Sequence, residues 1–422
     1  MEKKKCPEVR FKGFIESWEQ QTLGDMFIPL SNNTLSRADL NYENGQIKNI
    51  HYGDILVKYA AVLDSRNDKI PFITDGEISD FKSQRLQNGD VIFADTAEDE
   101  TVGKAIEIHV PADTFIVSGL HTMAYRPKTK LSSFYLGHYL NSNLYHYQLL
   151  PLMQGIKVLS ISRTNLAKTL VRYPSLEQEQ TQIGNFFQNL DQSIAFQEKK
   201  LTQTQNIKKA MLEKMFPKAG STQPEIRLKG FSGEWEAINL GSLCQIGDID
   251  HRMPESTKSG IPYLMTGDFF GINGLDFENA KLISNEDYEQ LSKKIKPEIG
   301  DILFARYASV GTVRLVVTDI KFLISYSCAI LKTSVNSNGE YLFYWFQTGF
   351  SQNQIEQEIN TGSQRNIGID SLKKLSISLP KENEKKAIAK FFKQFDETLV
   401  LQQQQLQTLK NLKQAFLEKM FV

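Results

Sequence analysis

Two stretches of the chain repeat apolar residues at helical spacing. In the first, 176–217, the apolar seam positions are Ile183, Phe187, Leu190, Ile194, Leu201 and Met211. In the second, 383–422, they are Ile388, Phe392, Phe395, Leu399, Leu406 and Phe416. Intervals of three, four and seven residues are typical of a coiled coil. Neither stretch contains a proline before Pro217, so each predicts one helix of about 60 Å.

A helix with a one-sided apolar stripe needs a partner, and each stretch is the natural partner of the other. We therefore predict that the two helices pack together. The alternative is a pair of ordinary surface helices broken by kinks, and Gly184 inside the first stretch favours that alternative.

The residues before each helix alternate between apolar and polar and are broken by Gly-Asp turns, which predicts a compact α+β module. We define the first module as residues 1–175 and the second module as residues 225–382, with a short polar linker at 218–224. Apolar, strand-like runs follow Gly-Asp at 88–95 and 299–306, and a third run of this kind lies at 52–60.

The chain is a head-to-tail duplication. Residues 8–26 and 225–243 match at nine of 19 positions, and residues 186–216 and 391–421 match at 13 of 31. The interiors of the two copies diverge. Similar ends with different interiors indicate one scaffold that presents two different surfaces.

Composition limits the possible functions. Lys plus Arg total 49, as do Asp plus Glu, so the basic excess usual in a nucleic-acid-binding protein is missing. It stays possible that one face of the protein is basic and is balanced by acidic residues on the opposite face. Three distant cysteines build neither a disulfide framework nor a zinc site, and no apolar leader or membrane span is evident. These features predict a cytoplasmic protein.

Motifs for catalysis are missing from the sequence. It contains no phosphate-binding loop, no H-E-x-x-H and no G-x-S-x-G. Five of six histidines lie in the first copy, which disfavours a duplicated catalytic histidine. The acidic run at 95–100 suits an exposed loop better than a metal site, and the second copy lacks it. We expect a binding scaffold without cofactor or metal.

The duplicated motifs resemble those of the specificity subunits of type I restriction-modification systems. The likeness rests on R-[FL]-K-G-F-x-x-x-W-E-x-x-x-L-G at 10–24 and 227–241, on the Gly-Asp strands, and on the segments 154–174 and 361–380 that lead into the helices. The helix starts also resemble the family's L-x-E-Q-x-x-I pattern, although the second copy has Glu384-Lys385 instead of Glu-Gln. Each motif is weak alone, but their duplicated order is specific. The likeness covers essentially the whole chain.

The resemblance implies an α+β fold with two tandem target recognition domains, 1–175 and 225–382. It also implies two conserved spacer helices, 176–217 and 383–422, that form an antiparallel coiled coil about a pseudo-twofold axis. Each domain would read one half of a bipartite DNA site. Two modification subunits would bring S-adenosylmethionine, and restriction subunits would bring ATP and Mg. This chain itself would catalyse nothing.

Base readout requires Arg, Lys, Asn or Gln on loops. The DNA-binding candidates, chosen beside turns or after Gly-Asp strands, are Lys58, Tyr59, Arg66, Lys104, Lys157, Arg163, Arg252, Lys258, Arg306, Tyr307, Arg314, Gln364 and Arg365. Trp18 and Trp235 hold fixed places in the repeat, which favours packing over base stacking.

A second hypothesis is a coiled-coil adaptor or scaffold that does not recognise DNA. The zero net charge and the glutamine run at 402–405 favour it, whereas the two divergent interiors favour DNA reading. A neighbouring methyltransferase gene would discriminate between them. The bases that each module reads cannot be predicted from the sequence.

Overall fold

The computed structural model describes residues 6–64, 68–334, 338–362 and 364–422. The chain forms two compact units. Unit 1 contains the first module, the start of the first long helix up to Glu198, and Gln404–Val422. Unit 2 contains Lys199–Gln403. This division differs from the predicted domain boundaries because each unit takes one part of each long helix.

The first module contains short strands and helices. Its strands are β1 (Glu19–Thr22), β2 (Phe27–Pro29), β3 (Leu40–Asn41), β4 (Lys48–Ile50), β5 (Val62–Asp64), β6 (Phe72–Ile73), β7 (Val91–Ala94), β8 (Thr96–Ala97), β9 (Ala105–His109), β10 (Ile116–Ser118), β11 (Thr122–Pro127), β12 (Leu159–Ser160) and β13 (Leu170–Tyr173). Its helices are α1 (Leu23–Met26), α2 (Tyr52–Val57), α3 (Ile78–Phe81), α4 (Tyr135–Leu140), α5 (Asn143–Leu149) and α6 (Arg163–Leu166).

The central sheet of the first module has the strand order β2-β11-β7-β9-β5, and a second sheet has the order β10-β4-β6-β3. β7 and β9 are fully buried along most of their length, so both faces of the sheet are covered. At the edge of the module, β1 pairs antiparallel with β13, from Glu19 opposite Tyr173 to Thr22 opposite Leu170. This ladder brings the opening motif of the repeat next to the strand that precedes the long helix.

The Gly-Asp turn before β7 is confirmed as a strand start. Gly89 has a φ of 90°, a conformation that glycine adopts without strain. The buried Asp90 carboxylate accepts the Gln87 N–H at 2.7 Å and pairs with Arg126 at 2.7 Å. The turn is therefore held by an ion pair as well as by backbone geometry.

The prediction of a third Gly-Asp strand at 52–60 is wrong, because Tyr52–Val57 is the helix α2. The His51 side chain accepts the Gly53 N–H at the start of this helix. Asp54 is buried and pairs with Arg37 at 2.9 Å and with Lys58 at 2.7 Å. A helix start, rather than a turn, places this aspartate where both cations reach it.

A buried carboxylate holds the start of α4. Glu107, on β9, accepts backbone N–H groups from Phe134 at 2.7 Å and Gly137 at 3.0 Å. Helix starts leave such donors unpaired, and the glutamate satisfies them. Burial nevertheless raises the pKa of Glu107 to about 7. On the same helix, burial lowers the pKa of His138 to about 3, and the charge of Lys413 lowers it further.

The second module repeats this arrangement. Its strands are β14 (Glu236–Asn239), β15 (Ile246–Gly247), β16 (Ile261–Leu264), β17 (Phe269–Phe270), β18 (Gly274–Leu275), β19 (Lys281–Ile283), β20 (Ile302–Ala305), β21 (Val313–Leu315), β22 (Leu323–Ile324), β23 (Cys328–Leu331) and β24 (Ser376–Leu379). The long helix of the first copy, α7 (Glu177–Met215), precedes the linker. The helices of the second copy are α8 (Leu240–Leu243), α9 (Asn285–Leu291), α10 (Gly339–Trp345), α11 (Gly349–Gln357), α12 (Ile369–Lys374) and the long α13 (Glu382–Lys419).

The sheets of the second module have the orders β15-β23-β20-β21 and β19-β16-β22. β14 pairs with β24 as β1 pairs with β13. The Gly-Asp turn recurs, with Gly300 at a φ of 90° and a buried Asp301 that accepts the Glu298 N–H at 2.8 Å. The strand β20 follows it, as the sequence predicts.

Within each unit, parts of α7 and α13 pack antiparallel. In unit 1, Asp191 pairs with Lys413 and Glu198 pairs with Lys410 at 2.7 Å, so rising numbers on one helix meet falling numbers on the other. In unit 2, Lys208 pairs with Asp396 at 2.6 Å.

The predicted seam residues are all buried or half-buried. The long unbroken helices confirm the coiled-coil prediction over the kinked alternative. Gly184 is accommodated because its face packs against the Ser133 carbonyl, where a Cβ would lie 2.6 Å away.

The repeated LEKMF segments end in the core of the opposite copy's module. Phe421, at the end of the second copy, packs against Tyr139 with ring centroids 5.5 Å apart and stacks on Phe187 at 5.4 Å. Phe216, at the end of the first copy, packs against Tyr341 at 5.4 Å. Trp18 is buried beside Phe421, and Trp235 beside Phe216, as packing residues.

Among the helices of the described residues, none combines the length and apolar content needed to cross a bilayer.

Candidate nucleic-acid interface

A short loop, which we call the first hairpin (residues 154–160), leaves the first module before α6. The Gln154 N–H donates to the Ser160 carbonyl at 2.9 Å, and the Ser160 N–H donates back at 2.8 Å. One arm, β12, pairs with β8, and the Thr96 hydroxyl donates to the Leu159 carbonyl at 3.0 Å. The base of the hairpin is therefore fixed to the module.

The turn of the first hairpin requires glycine. Gly155 has a φ of 124°, and a Cβ there would lie 1.9 Å from the Val158 carbonyl oxygen. Beyond this turn the side chains point into solvent. Ile156 is 100% exposed, Val158 is 54% exposed, and Lys157 between them is also exposed.

The second module carries an equivalent loop, the second hairpin (residues 360–366). The Asn360 N–H donates to the Asn366 carbonyl at 2.8 Å, and the reverse bond is 3.4 Å long. Gln364 and Arg365 are exposed on it, and Arg365 pairs with Glu356, which is also exposed. Ser363 lies outside the described residues.

The residues after the two hairpins make the same bond to their modules. The Ile161 N–H donates to the Asp95 carbonyl at 2.9 Å, and the Ile367 N–H donates to the Arg306 carbonyl at 3.1 Å. Asp95 and Arg306 each follow the Gly-Asp strand of their module. With these bases aligned, Val158 corresponds to Gln364. One support thus presents two chemically different tips.

Arg306 supports the second hairpin and is not available to DNA, contrary to prediction. It is 6% exposed, its guanidinium pairs with Asp248, and its Nε donates to the Ile367 carbonyl at 3.0 Å. Sequence reasoning placed it at the surface because it follows a strand, but its acidic partner is 58 residues away in the chain.

Two further candidates are corrected by their burial. Tyr59 is 3% exposed, and its hydroxyl donates to the Lys69 carbonyl at 3.3 Å. Arg314 is 7% exposed and donates to the carbonyls of Val313, Gly274 and Gly271. Burial lowers the pKa of this arginine. Both side chains hold loops together.

The other candidates of the first module differ in how free they are. Lys58 is exposed but pairs with Asp54, as described above. Lys104 is half-buried, donates to the Leu56 carbonyl at 3.0 Å, and has a pKa lowered by burial. Arg163 is half-buried and lies over the ring of Tyr125 at 5.5 Å. Arg66 lies outside the described residues.

In the second module, Lys258 is exposed beside β16. Arg252 is exposed but pairs with Asp287 at 2.7 Å. Tyr307 is half-buried and bridges to Asn366 at the base of the second hairpin. The exposed candidates that the structure brings onto corresponding loops are therefore Lys157, Gln364 and Arg365. Ile156 and Val158 on the same tip are not among the candidates, because base readout was expected only from polar side chains and tyrosines.

The acidic loop at 98–100 is exposed, and its Asp99 accepts the Thr101 N–H at 2.9 Å. In the described ranges of the chain, no group of three or more histidine, cysteine, aspartate or glutamate side chains is arranged to hold a metal ion. The three cysteines are unpaired thiols, and burial raises the pKa values of Cys244 and Cys328 to about 12.

Two parts of the chain, residues 15–208 and 232–411, match the family described as type I restriction modification DNA specificity domain. A Methanocaldococcus jannaschii protein, whose name describes it as a type I restriction enzyme MjaX specificity subunit, is 24% identical over 418 residues. The aligned region covers 95% of this chain and 92% of that protein.

Two solved structures share the fold. The S subunit of a type I restriction-modification system from M. genitalium superposes with a TM-score of 0.61, covering 99% of both chains at 13% identity. A chain from a structure of type I R-M complex assembly and conformational transition gives a TM-score of 0.54 at 17% identity, covering 96% of this chain and 97% of the other.

Proposed function

Because the chain belongs to the type I restriction-modification DNA specificity family, we propose that it is the DNA-reading subunit of such a system and that each module recognises half of a bipartite site. The observation that carries this proposal is the pair of equivalent hairpins with different tips. A shared support keeps the geometry constant, while the tip side chains decide which bases are favoured.

The second hairpin carries groups suited to base edges. The Gln364 amide can pair with the N6 and N7 atoms of adenine, and the Arg365 guanidinium can pair with the O6 and N7 atoms of guanine. Lys157 on the first hairpin is suited to a phosphate oxygen. Lys258, Arg252 and Lys58 remain candidates for phosphate contacts, although the last two must exchange their carboxylate partners for DNA.

Because the net charge of the chain is balanced, partner subunits are expected to supply part of the positive charge that contacts the DNA phosphates. We propose that two modification subunits dock on the exposed flanks of α7 and α13 and neutralise part of the phosphate charge. Those subunits would carry S-adenosylmethionine, and restriction subunits with ATP and Mg would join them. The chain itself would position DNA, without cofactor or catalysis of its own, in the cytoplasm.

We further propose that α7 and α13, the conserved spacer helices, set the separation of the two half-sites. Two reading heads joined by a rigid element bind as a bivalent ligand, so the second contact gains from effective concentration. Half-sites about one helical turn apart present their grooves to one face of the duplex.

The test is to express the chain with its modification subunits and to map methylated adenines in host DNA by single-molecule sequencing. We expect a split motif with a fixed gap. Arg365→Ala should relax the half read by the second module, and the matched Lys157→Ala should weaken methylation without changing either half. An active modification complex that produces no split motif would leave the adaptor hypothesis in place.

A further inference from the structure

The tip of the first hairpin carries two apolar side chains that the rest of unit 1 does not cover. Single exposed apolar residues are common on protein surfaces. Here Ile156, fully exposed, and Val158, 54% exposed, lie two positions apart on one tip. Their removal from water on contact with a partner would be favourable.

The tip is also prevented from folding back onto the module. The paired backbone bonds between Gln154 and Ser160 close the base, and Gly155 sets a turn that no other residue accommodates. Leu159 and Met153 pack against the core cluster of the module on either side of the tip. A loop held in this way pays little conformational entropy when it binds.

The second hairpin excludes a general need for apolar residues at this place. Gln364 stands where Val158 stands, and its neighbour Arg365 stands where Leu159 stands. A packing role common to the scaffold would require similar side chains in both copies. The apolar tip therefore belongs to what distinguishes the first module from the second.

Resting on the proposed function, we infer that Ile156 and Val158 contact thymine methyl groups in the major groove of the first half-site, with Lys157 directed to a phosphate. The thymine C5-methyl is the apolar group that the major groove displays. In the minor groove an A·T pair displays only hydrogen-bond acceptors, so this methyl group can be read only from the major groove. The first half-site must accordingly contain A·T pairs.

The experiment uses the complete modification complex and duplex probes carrying the mapped motif, with thymine replaced by uracil one position at a time in the first half-site. Uracil lacks only the methyl group. Wild-type complex should bind the uracil probe about fourfold more weakly at one or two positions, the value for one buried methyl. Ile156→Ala with Val158→Ala should bind both probes equally.

Arg365→Ala is the matched control, since it alters the second hairpin and should retain the thymine preference in the first half-site. The tip residues are exposed, so the double variant should melt at the wild-type temperature. A first half-site without thymine, or wild-type complex indifferent to uracil at every position, would overturn the inference but leave the proposed function intact. A double variant that changed DNA bending but kept the thymine preference would also overturn the inference. The absence of a split motif would overturn both the inference and the proposed function.

Discussion

Two buried residues of the first module make its stability respond to pH in opposite directions. Glu107 has a pKa of about 7 in the folded chain, above its ordinary 4.5, so the folded state holds the extra proton between these values. Stability therefore falls as pH rises from 4.5 to 7. His138 has a pKa of about 3, below its ordinary 6.5, so stability is lost as pH falls from 6.5 to 3. Between pH 4.5 and 6.5 the two effects oppose one another.

Glu107→Gln should expose the histidine effect. Glutamine stays neutral and can still accept one N–H at the start of α4. The free energy of unfolding of the first module should then increase by about 2–3 kcal/mol between pH 4.5 and 6.5, while the wild type changes little. Hydrogen exchange of the β7 and β9 amides at several pH values measures this difference.

The second module provides the internal control for that measurement. Leu315 and Tyr344 stand at the positions corresponding to Glu107 and His138, so exchange of the β20 amides should show no effect of the substitution. An equally flat pH profile for Glu107→Gln and wild type in the first module would contradict the assignment of the opposing effects.

At single positions, the sequence shows which side chains could contact DNA, but it does not show which of them are exposed. The candidates include both Arg306 and Lys157 because both are cations beside turns. Only the fold shows that Arg306 meets Asp248 in the interior while Lys157 meets solvent. Ile156 and Val158 were missed for a related reason, since hydrophobicity alone does not distinguish a core position from the tip of a pinned loop.

The long helices contain a repeated polar contact inside their apolar seam. Asp396 on α13 pairs with Lys208 on α7 and accepts the Tyr344 hydroxyl at 3.0 Å. In unit 1, Asp191 on α7 pairs with Lys413 on α13, and His138 approaches the same carboxylate at 3.8 Å. Both pairs occupy the same position of the repeat, so a slip of one helix by a heptad would break both.

Lys208→Met should destabilise unit 2 by about 2 kcal/mol, because it leaves the mostly buried Asp396 without its cation. Lys413→Met is the matched variant in unit 1. It should cost less, about 1 kcal/mol, since that lysine is more exposed. Adding Asp396→Asn to Lys208→Met should recover part of the loss in thermal unfolding. Equal losses from the single and the double variant would contradict the cost assigned to the unpaired Asp396 carboxylate.

The proposed spacing role predicts a defined change in the DNA motif. Deleting one heptad from each helix, 198–204 and 403–409, preserves the apolar seam and shortens each helix by about 10 Å. The gap in the methylated motif should shrink by about three base pairs, at 3.4 Å per pair. Deleting only one of the two heptads should disrupt the seam and reduce methylation. An unchanged gap in the double deletion would exclude the ruler role.

At the level of elements, long periodic patterns are predictable and short ones are not. The heptad seams and the strands after Gly89 and Gly300 follow from local spacing. The similar string at Tyr52–Val57 folds as a helix, with the His51 side chain accepting the Gly53 N–H at its start. An ion pair does not distinguish these cases, because Asp90 and Asp301 before the two strands also pair with distant cations, Arg126 and Lys332. A six-residue pattern therefore does not determine whether a helix or a strand forms.

In the molecule as a whole, each module is completed by the helix end of the other copy. Phe421, 2% exposed, lies among aromatic rings of the first module, although it is 403 residues beyond Trp18 in the chain. Phe216 occupies the equivalent place in the second module. Sequence repetition predicts that the two ends are equivalent but does not predict which module each one enters.

Phe421→Ala should therefore destabilise the first module by about 3–5 kcal/mol, the usual cost of removing a buried ring. The faster exchange should appear in the β7 amides and not in those of β20. Phe216→Ala should give the reverse pattern. Loss of protection in the second module from Phe421→Ala would contradict the crossed arrangement.

The crossed packing also sets an order of events during synthesis. The first module leaves the ribosome early, but the helix end that covers Trp18 and Tyr139 is made only after the whole second module. At about 5–20 residues per second, the 223 residues from Lys199 to Phe421 require about 11–45 s. During that interval the nascent chain carries an uncovered aromatic surface, because the LEKMF segment of the first copy lies at the far end of the continuous helix α7.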